Sequence, residues 1–288
     1  MIKNIQAATV KTFIPPRKTT SRKGENGTVL VVGGSYMYHG APILASMAAL
    51  RAGSDLVYTC VPKINVVSTR AHSPNLIVIP LVDAKLTRGA ARKLVGIIPK
   101  ELDSATIGMG LGIQDREALR MLIRDLLDRA VMVSLDASAL VPEVLHDIKD
   151  KNVTVTPHAG EFRRLFGEDP PSEMRKRAEL VRRHARENGV TVLLKGPTDV
   201  ISDGERTFLN VKNLASMTVG GTGDVLSGIV ASMLSKNRKP VEAASAAAYV
   251  NGRAGAMAQR KHGFHIVATD LLEFLPDAMK PFDRTSGK

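Results

Sequence analysis

From Thr28 onward, short β-branched and apolar runs alternate with longer segments of helical character. Thr28–Val32, Asp55–Val61, Leu76–Ile79, Ser104–Gly108, Val131–Leu135, Val153–Thr156 and Val190–Leu194 read as strands. Residues 41–52, 86–96, 114–127 and 173–188 read as helices, the last stopped by Gly189. Val200–Ser202 and Arg206–Leu209 flank Asp203-Gly204 and read as a hairpin with a tight primed turn. Two helices follow, over 223–236 and 241–261. Such alternation predicts an α/β fold with a mostly parallel sheet covered by helices on both faces. Right-handed crossovers then bring the strand C-termini to one edge, where ligands bind. The residues that follow the strands are chemically distinctive: Gly33-Gly34-Ser35, Gly108 to Gly112, Asp136, His158 to Glu161, and Lys195-Gly196.

Composition narrows the classes. The chain has 288 residues, 44% of them hydrophobic and 24% charged, enough apolar material for a core. A lone cysteine, Cys60, excludes an intramolecular disulfide and a multi-cysteine zinc site, and its apolar strand points to the core. It fits a reducing, cytoplasmic setting. The longest apolar stretch, Ala41 to Leu50, is too short for the roughly 20 residues of a membrane span. The N-terminus has no signal-peptide pattern. Residues 1–22 form a basic lead-in around Pro15-Pro16 and read as an ordered strap or a frayed tail. The formal charge of +12 invites a nucleic-acid reading, but aromatic residues are only 4% and Trp is absent, leaving little for base stacking. Small anionic substrates account for a positive field equally well.

The strongest local signal is Gly220-Gly221-Thr222-Gly223-Asp224, which opens a small-residue helix. Glycines let the backbone approach a ligand closely, and the free amides of a helix start attract phosphate. The block lacks the Lys-Ser/Thr of a Walker loop, and it comes too late for a dinucleotide fingerprint. Asp224 could cap the helix. Capping leaves the crowded glycines unexplained, so an anion hole with a catalytic Asp224 is the stronger reading.

Gly221-Thr222-Gly223-Asp224 resembles the glycine–acid signature of the ribokinase-like superfamily. Within it, the chain resembles the ADP-dependent NAD(P)H-hydrate dehydratases over roughly residues 14 to 275. An ordered series carries the likeness: Lys23-Gly24-Glu25-Asn26-Gly27, Val32-Gly33-Gly34-Ser35, His39-Gly40-Ala41-Pro42, Gly108-Met109-Gly110-Leu111-Gly112, Thr156-Pro157-His158-Ala159-Gly160-Glu161 and Leu194-Lys195-Gly196-Pro197-Thr198. Ala159 stands where the family often has proline.

The resemblance implies a ribokinase-like three-layer sandwich, a single domain over 1–288 with no fused epimerase. It implies ADP-dependent dehydration of hydrated NAD(P)H in its S form, releasing AMP and phosphate. Asp224 would be the base. Lys195, Gly196, Pro197, Thr198, Asp199, Gly220, Gly221, Thr222 and Gly223 would hold the nucleotide. Ala41, Gly110, His158 and Asp224 would line the substrate site, and Glu161 would reach Mg2+ through water. A separate epimerase chain and a homotetramer are further implications.

Several of these residues have plain structural alternatives. Lys195 could be a snorkelling surface lysine, His158 a packed loop residue and Glu161 a helix cap. Asp136 could bind a cation or hold loop amides. His262 and His265 lack partners for a transition metal. The competing activity is a kinase of the same superfamily acting on a vitamin precursor or a sugar. Vitamin-precursor kinases usually carry cysteine where this chain has Asp224, and the lid strands usual in sugar kinases are missing.

Overall fold

Along the third strand of the chain, side chains alternate between two cores. Leu30 and Val32 pack to one side of the sheet, Val29 and Val31 to the other, and all four are fully buried. Burial on both faces makes the strand continuously apolar. In this computed structural model, which describes residues 2–212 and 214–287, the same logic runs across a ten-stranded sheet.

The strands are β1 (Ile2–Asn4), β2 (Arg17–Lys18), β3 (Thr28–Val32), β4 (Leu56–Pro62), β5 (Ile77–Leu81), β6 (Ser104–Ile107), β7 (Met132–Leu135), β8 (Val153–Val155), β9 (Thr191–Leu194), β10 (Thr198–Ser202), β11 (Thr207–Val211) and β12 (Thr285–Ser286). The helices are α1 (Ala7–Phe13), α2 (Gly40–Arg51), α3 (Val66–His72), α4 (Arg88–Ile97), α5 (Arg116–Asp128), α6 (Leu145–Ile148), α7 (Ala159–Phe166), α8 (Met174–Asn188), α9 (Thr222–Lys236), α10 (Pro240–His262) and α11 (Ala268–Met279). The main sheet has the order β1-β11-β10-β9-β8-β7-β6-β3-β4-β5, and β2 and β12 pair separately. Among the described residues, only β10 runs against the rest of the main sheet.

One face carries α4 to α8, which bury Leu94, Leu122, Ile148, Phe162 and Val181 against Leu30, Ile107, Leu135 and Val155. The other carries α1, α2, α9, α10 and α11. This is the expected three-layer sandwich. Small side chains bring the second layer close. Ser104 Oγ donates to the Ala231 carbonyl at 2.7 Å, so α9 lies directly on β6. A Cβ on Gly228 of α9 would sit 1.9 Å from the Ala45 carbonyl of α2, so nothing larger fits that crossing.

The structure corrects some local readings. The hairpin is present, but Ser202 pairs with Thr207, so Asp203 to Arg206 form a four-residue loop rather than a two-residue primed turn. Ser202 Oγ and Asp203 Oδ1 bond the loop amides of Gly204 and Arg206 and hold that longer connection. The helix read from residue 86 begins at Arg88, because Thr87 caps it by accepting from Ala90 N at 3.1 Å. Leu86 instead bridges Ile113. The structure adds α3 and α11 to the helices expected from periodicity. The N-terminal lead-in is an ordered strap: β1 extends the sheet beside β11, α1 buries Val10, and β2 pairs with β12. Cys60 is fully buried in the core. Among the described residues, no helix is long and apolar enough to cross a membrane.

Candidate active site

Three neighbouring strands, β7, β8 and β9, deliver their following residues to one edge. β7 ends at Asp136, β8 at Pro157-His158, and β9 at Lys195, whose amide donates to the Pro157 carbonyl at 2.8 Å. Lys195 Nζ donates to Asp136 Oδ1 at 2.8 Å and lies 3.6 Å from Glu161 Oε2. Ser227, one turn into α9, donates to Asp136 Oδ2 at 2.5 Å. Asp136 is therefore neither a loop brace nor an open cation ligand. It fixes a lysine from one side and α9 from the other.

Burial disfavours charge on both partners of this pair, and each partner outweighs it for the other. Burial raises the Asp136 pKa, but the Lys195 ammonium and the hydrogen bonds from Lys195 and Ser227 bring it below the usual carboxylate range. Burial lowers the Lys195 pKa, but Asp136 and Glu161 hold it above its ordinary value. Asp224 differs. Burial and then the Asp136 charge push its carboxyl up to about 7, with Lys195 opposing and Glu161 adding to the rise.

The glycine block sets Asp224 in place. Gly221 is the N-cap of α9, with φ +94. A Cβ there would meet Ala268 Cβ at 2.7 Å and Leu44 Cδ1 at 2.8 Å. The first intrahelical bond runs from Val225 N to the Gly221 carbonyl at 3.0 Å. The amides of Thr222, Gly223 and Asp224 therefore have no intrahelical acceptor, the arrangement that the expected anion hole requires. Asp224 is third in the helix rather than its cap. The absent Cβ of Gly223 would stand 3.6 Å from Lys195 Nζ, so the ammonium adjoins the free amides.

His158 and Glu161 form a capping box on α7. His158 Nδ1 accepts from Gly160 N at 3.0 Å and Glu161 N at 3.3 Å, and Glu161 Oε2 accepts from His158 N at 2.9 Å. An accepting Nδ1 assigns the neutral ring's proton to Nε2, 3.4 Å from Glu161 Oε1. The capping alternative is therefore realised, and Glu161 keeps lone pairs on Oε1 for water. Among the described residues, no group of three or more His, Cys, Asp or Glu could hold a metal directly. These hard-oxygen donors suit a Mg2+ carried mainly by phosphates and water.

A cavity of about 450 Å3 opens beside the block. Lys195, Gly196, Pro197, Thr222 and Gly223 of the expected nucleotide set line it, and so does His158 from the expected substrate set. Thr198 and Asp199 do not. Asp199 is fully buried behind the wall and accepts from Gly196 N at 3.1 Å and Lys212 Nζ at 2.8 Å. Gly220 and Gly221 do not line it either; they immediately precede Thr222, which does. Ala41 and Gly110 meet elsewhere on the same side, with the absent Cβ of Gly110 3.2 Å from Ala41 Cβ and 2.6 Å from Tyr38 Cβ. Leu44, one turn along α2 from Ala41, touches Gly221, so the two sets join at the glycine block. Lys212, Met217 and Asn251 also line the cavity and lie outside the set expected from the sequence. Asn251 had one available signal, a polar residue in an alanine-rich helix.

Comparison with known proteins gives a consistent picture. A sequence model described as NAD(P)H-hydrate dehydratase matches residues 29–277. The chain is 66% identical over 275 residues to the ADP-dependent (S)-NAD(P)H-hydrate dehydratase of Cenarchaeum symbiosum, covering 96% of each. It is 64% identical over 282 residues to the protein of that name from Nitrosopumilus maritimus, covering 98% of each. Its fold matches the ADP/ATP-dependent NAD(P)H-hydrate dehydratase of Bacillus subtilis, crystallised with ATP/Mg2+, at a TM-score of 0.84 and 27% identity, covering 98% of this chain and 99% of that one.

Proposed function

The chain belongs to the NAD(P)H-hydrate dehydratase family, and from that premise we propose how its cleft does the chemistry. The activity is ADP-dependent dehydration of hydrated NAD(P)H in its S form, which restores NAD(P)H and releases AMP and phosphate. The observation that carries the residue assignment is the position of Asp224. Its carboxyl, raised to about 7, lies inside the first turn of a helix whose free amides adjoin Lys195.

Hydroxide leaves the hydrated ring poorly, so the hydroxyl must first be converted to a better leaving group. Asp224 takes the hydroxyl proton, and the oxygen attacks the terminal phosphorus of ADP. The bond from that phosphorus to the bridging oxygen breaks, and AMP leaves with the electron pair. The amides of Thr222 to Asp224 and the Lys195 ammonium stabilise the phosphoryl oxygens. The ring nitrogen's lone pair then expels phosphate, and loss of a proton from the neighbouring carbon restores the double bond. Mg2+, when bound, supplies charge neutralisation on the phosphates, with Glu161 positioned to hold its water. His158 and Gly196 wall the nucleotide side, and Ala41 and Gly110 wall the substrate side.

We read the chain as one ribokinase-like domain working as a cytoplasmic homotetramer, with a separate epimerase chain supplying the S form. The family resemblance supports this, and light scattering on the purified protein tests the assembly. For the chemistry, hydrated NADH is incubated with ADP while NADH absorbance and AMP are followed. Asp224→Asn should slow both signals by at least about 10²–10⁴-fold while ADP still binds. Normal turnover by the variant would remove Asp224 from the base role.

A further inference from the structure

Asn251 lies on α10 at the cavity wall and is 2% exposed. Its Oδ1 is buried without a hydrogen-bond partner among the described residues. An apolar side chain would serve this packing position better, because a buried amide oxygen without a donor is destabilising. The residue is also held in place. Asn210 Nδ2 donates to the Ala248 carbonyl at 2.9 Å, three positions before Asn251. A Cβ on Gly252 would come within 2.9 Å of the Lys212 stem, so α10 packs closely on the segment after β11. Leu214, Ala215 and Met217 line the same cavity and offer apolar surface for a flat ring; Met217 packs on Gly255, one turn along α10 from Asn251, whereas Lys195 lies beside Gly223.

We infer that Asn251 reads the base of the nucleotide and selects adenine. The inference rests on reading the cavity as the ADP site. Turned from the wall toward the cavity, the asparagine amide pairs with adenine in two-point fashion, Oδ1 accepting from the 6-amino group and Nδ2 donating to N7. A 6-oxopurine presents two acceptors, O6 and N7, along that edge. In either amide orientation Oδ1 then faces an acceptor and stays unpaired. Adenine supplies the missing donor, and guanine or hypoxanthine leaves the orphan in place.

The test compares ADP with inosine diphosphate, which differs from it at the 6-position and N1, in wild type and in Asn251→Ala and Asn251→Leu. Wild type should prefer ADP in kcat/KM by about 10- to 100-fold. In Asn251→Ala, kcat/KM for ADP should fall by about that factor while the value for inosine diphosphate barely moves, so the preference collapses. Asn251→Leu should melt at a higher temperature than wild type without nucleotide and show a smaller upward shift with ADP. A folded Asn251→Ala that keeps the preference overturns the inference. If it fails to fold, an unchanged ADP shift in Asn251→Leu does the same. Lys195→Met separates this from the underlying site reading. If wild type and Lys195→Met bind ADP equally, the cavity is not the nucleotide site.

Discussion

The Lys195 ammonium lies 2.8 Å from the Asp136 carboxylate, a contact that joins the ends of β9 and β7 across 59 positions of sequence. Asp136 is 2% exposed at its side chain and Lys195 18%, so each needs the other's charge. The pair also sets the electrostatics of Asp224, since its two charges act on that carboxyl in opposite directions.

Removing one partner therefore has two effects. Lys195→Met strands a buried carboxylate and should destabilise the protein by about 3–5 kcal/mol, read from urea unfolding. It also removes the cation that restrains the Asp224 pKa, so any residual pH–rate profile should move to higher pH. A profile that moves the other way would contradict the electrostatic assignment.

In the proposed base role, Asp224 acts only when ionised. With its carboxyl at about 7, kcat/KM should rise with pH through that value and level off above it. Asp224→Asn should lower kcat by at least about 10²–10⁴-fold.

The same group sets a stability trade. Its folded pKa of about 7 exceeds the ordinary 3.8, so between these values the native state binds the extra proton and stability falls as pH rises. Asp224→Asn removes that penalty. Its melting temperature should exceed wild type at about pH 8 and match it at about pH 4, as calorimetry can check.

Lys236 gives the opposite slope. Burial, and then the Arg17 charge, lower its pKa from 10.5 to about 7, while Nζ donates to the Ala52 carbonyl at 2.6 Å. Between those pH values the unfolded chain holds the proton that the native state has released, so stability gains as pH rises. The stability of wild type relative to Lys236→Met should therefore improve across that window in chemical denaturation.

Gly228→Ala tests the packing of α9 without altering a residue of the proposed site. The added methyl would press on the Ala45 carbonyl, which belongs to helix backbone and yields little. A loss of about 1–3 kcal/mol or more is expected, with weakened turnover from displacement of the α9 start. An unchanged melting temperature would show that α2 and α9 have slack.

The sheet was legible because its strands are buried on both faces and punctuated by Gly, Pro or a charged residue. Thr28–Val32 and Asp136 show this directly. The glycine block was legible because few structural needs place so many glycines before one helix. The edges were not. β1 has three exposed residues and gains its partner only through β11. Thr87 outcompetes the apolar Leu86 for the start of α4 by a cap that periodicity does not register. Asp136 could be placed at a strand end, but its contact with Lys195 depends on β8 lying between β7 and β9. Asn251 carries no motif, and its meaning comes from what fails to reach its oxygen.

Both ends of the described chain lie at the sheet edge away from the cleft. Ile2 pairs with Thr207 at the start of β11, and β12 pairs with β2, where Arg17 holds the Gly53 carbonyl just before β4. The geometry is modular. A second folded unit joined to either end would hang behind the sheet, leaving the entry route for ADP and the hydrated dinucleotide open. Joining such a unit to either end would leave the proposed site at the opposite edge uncovered.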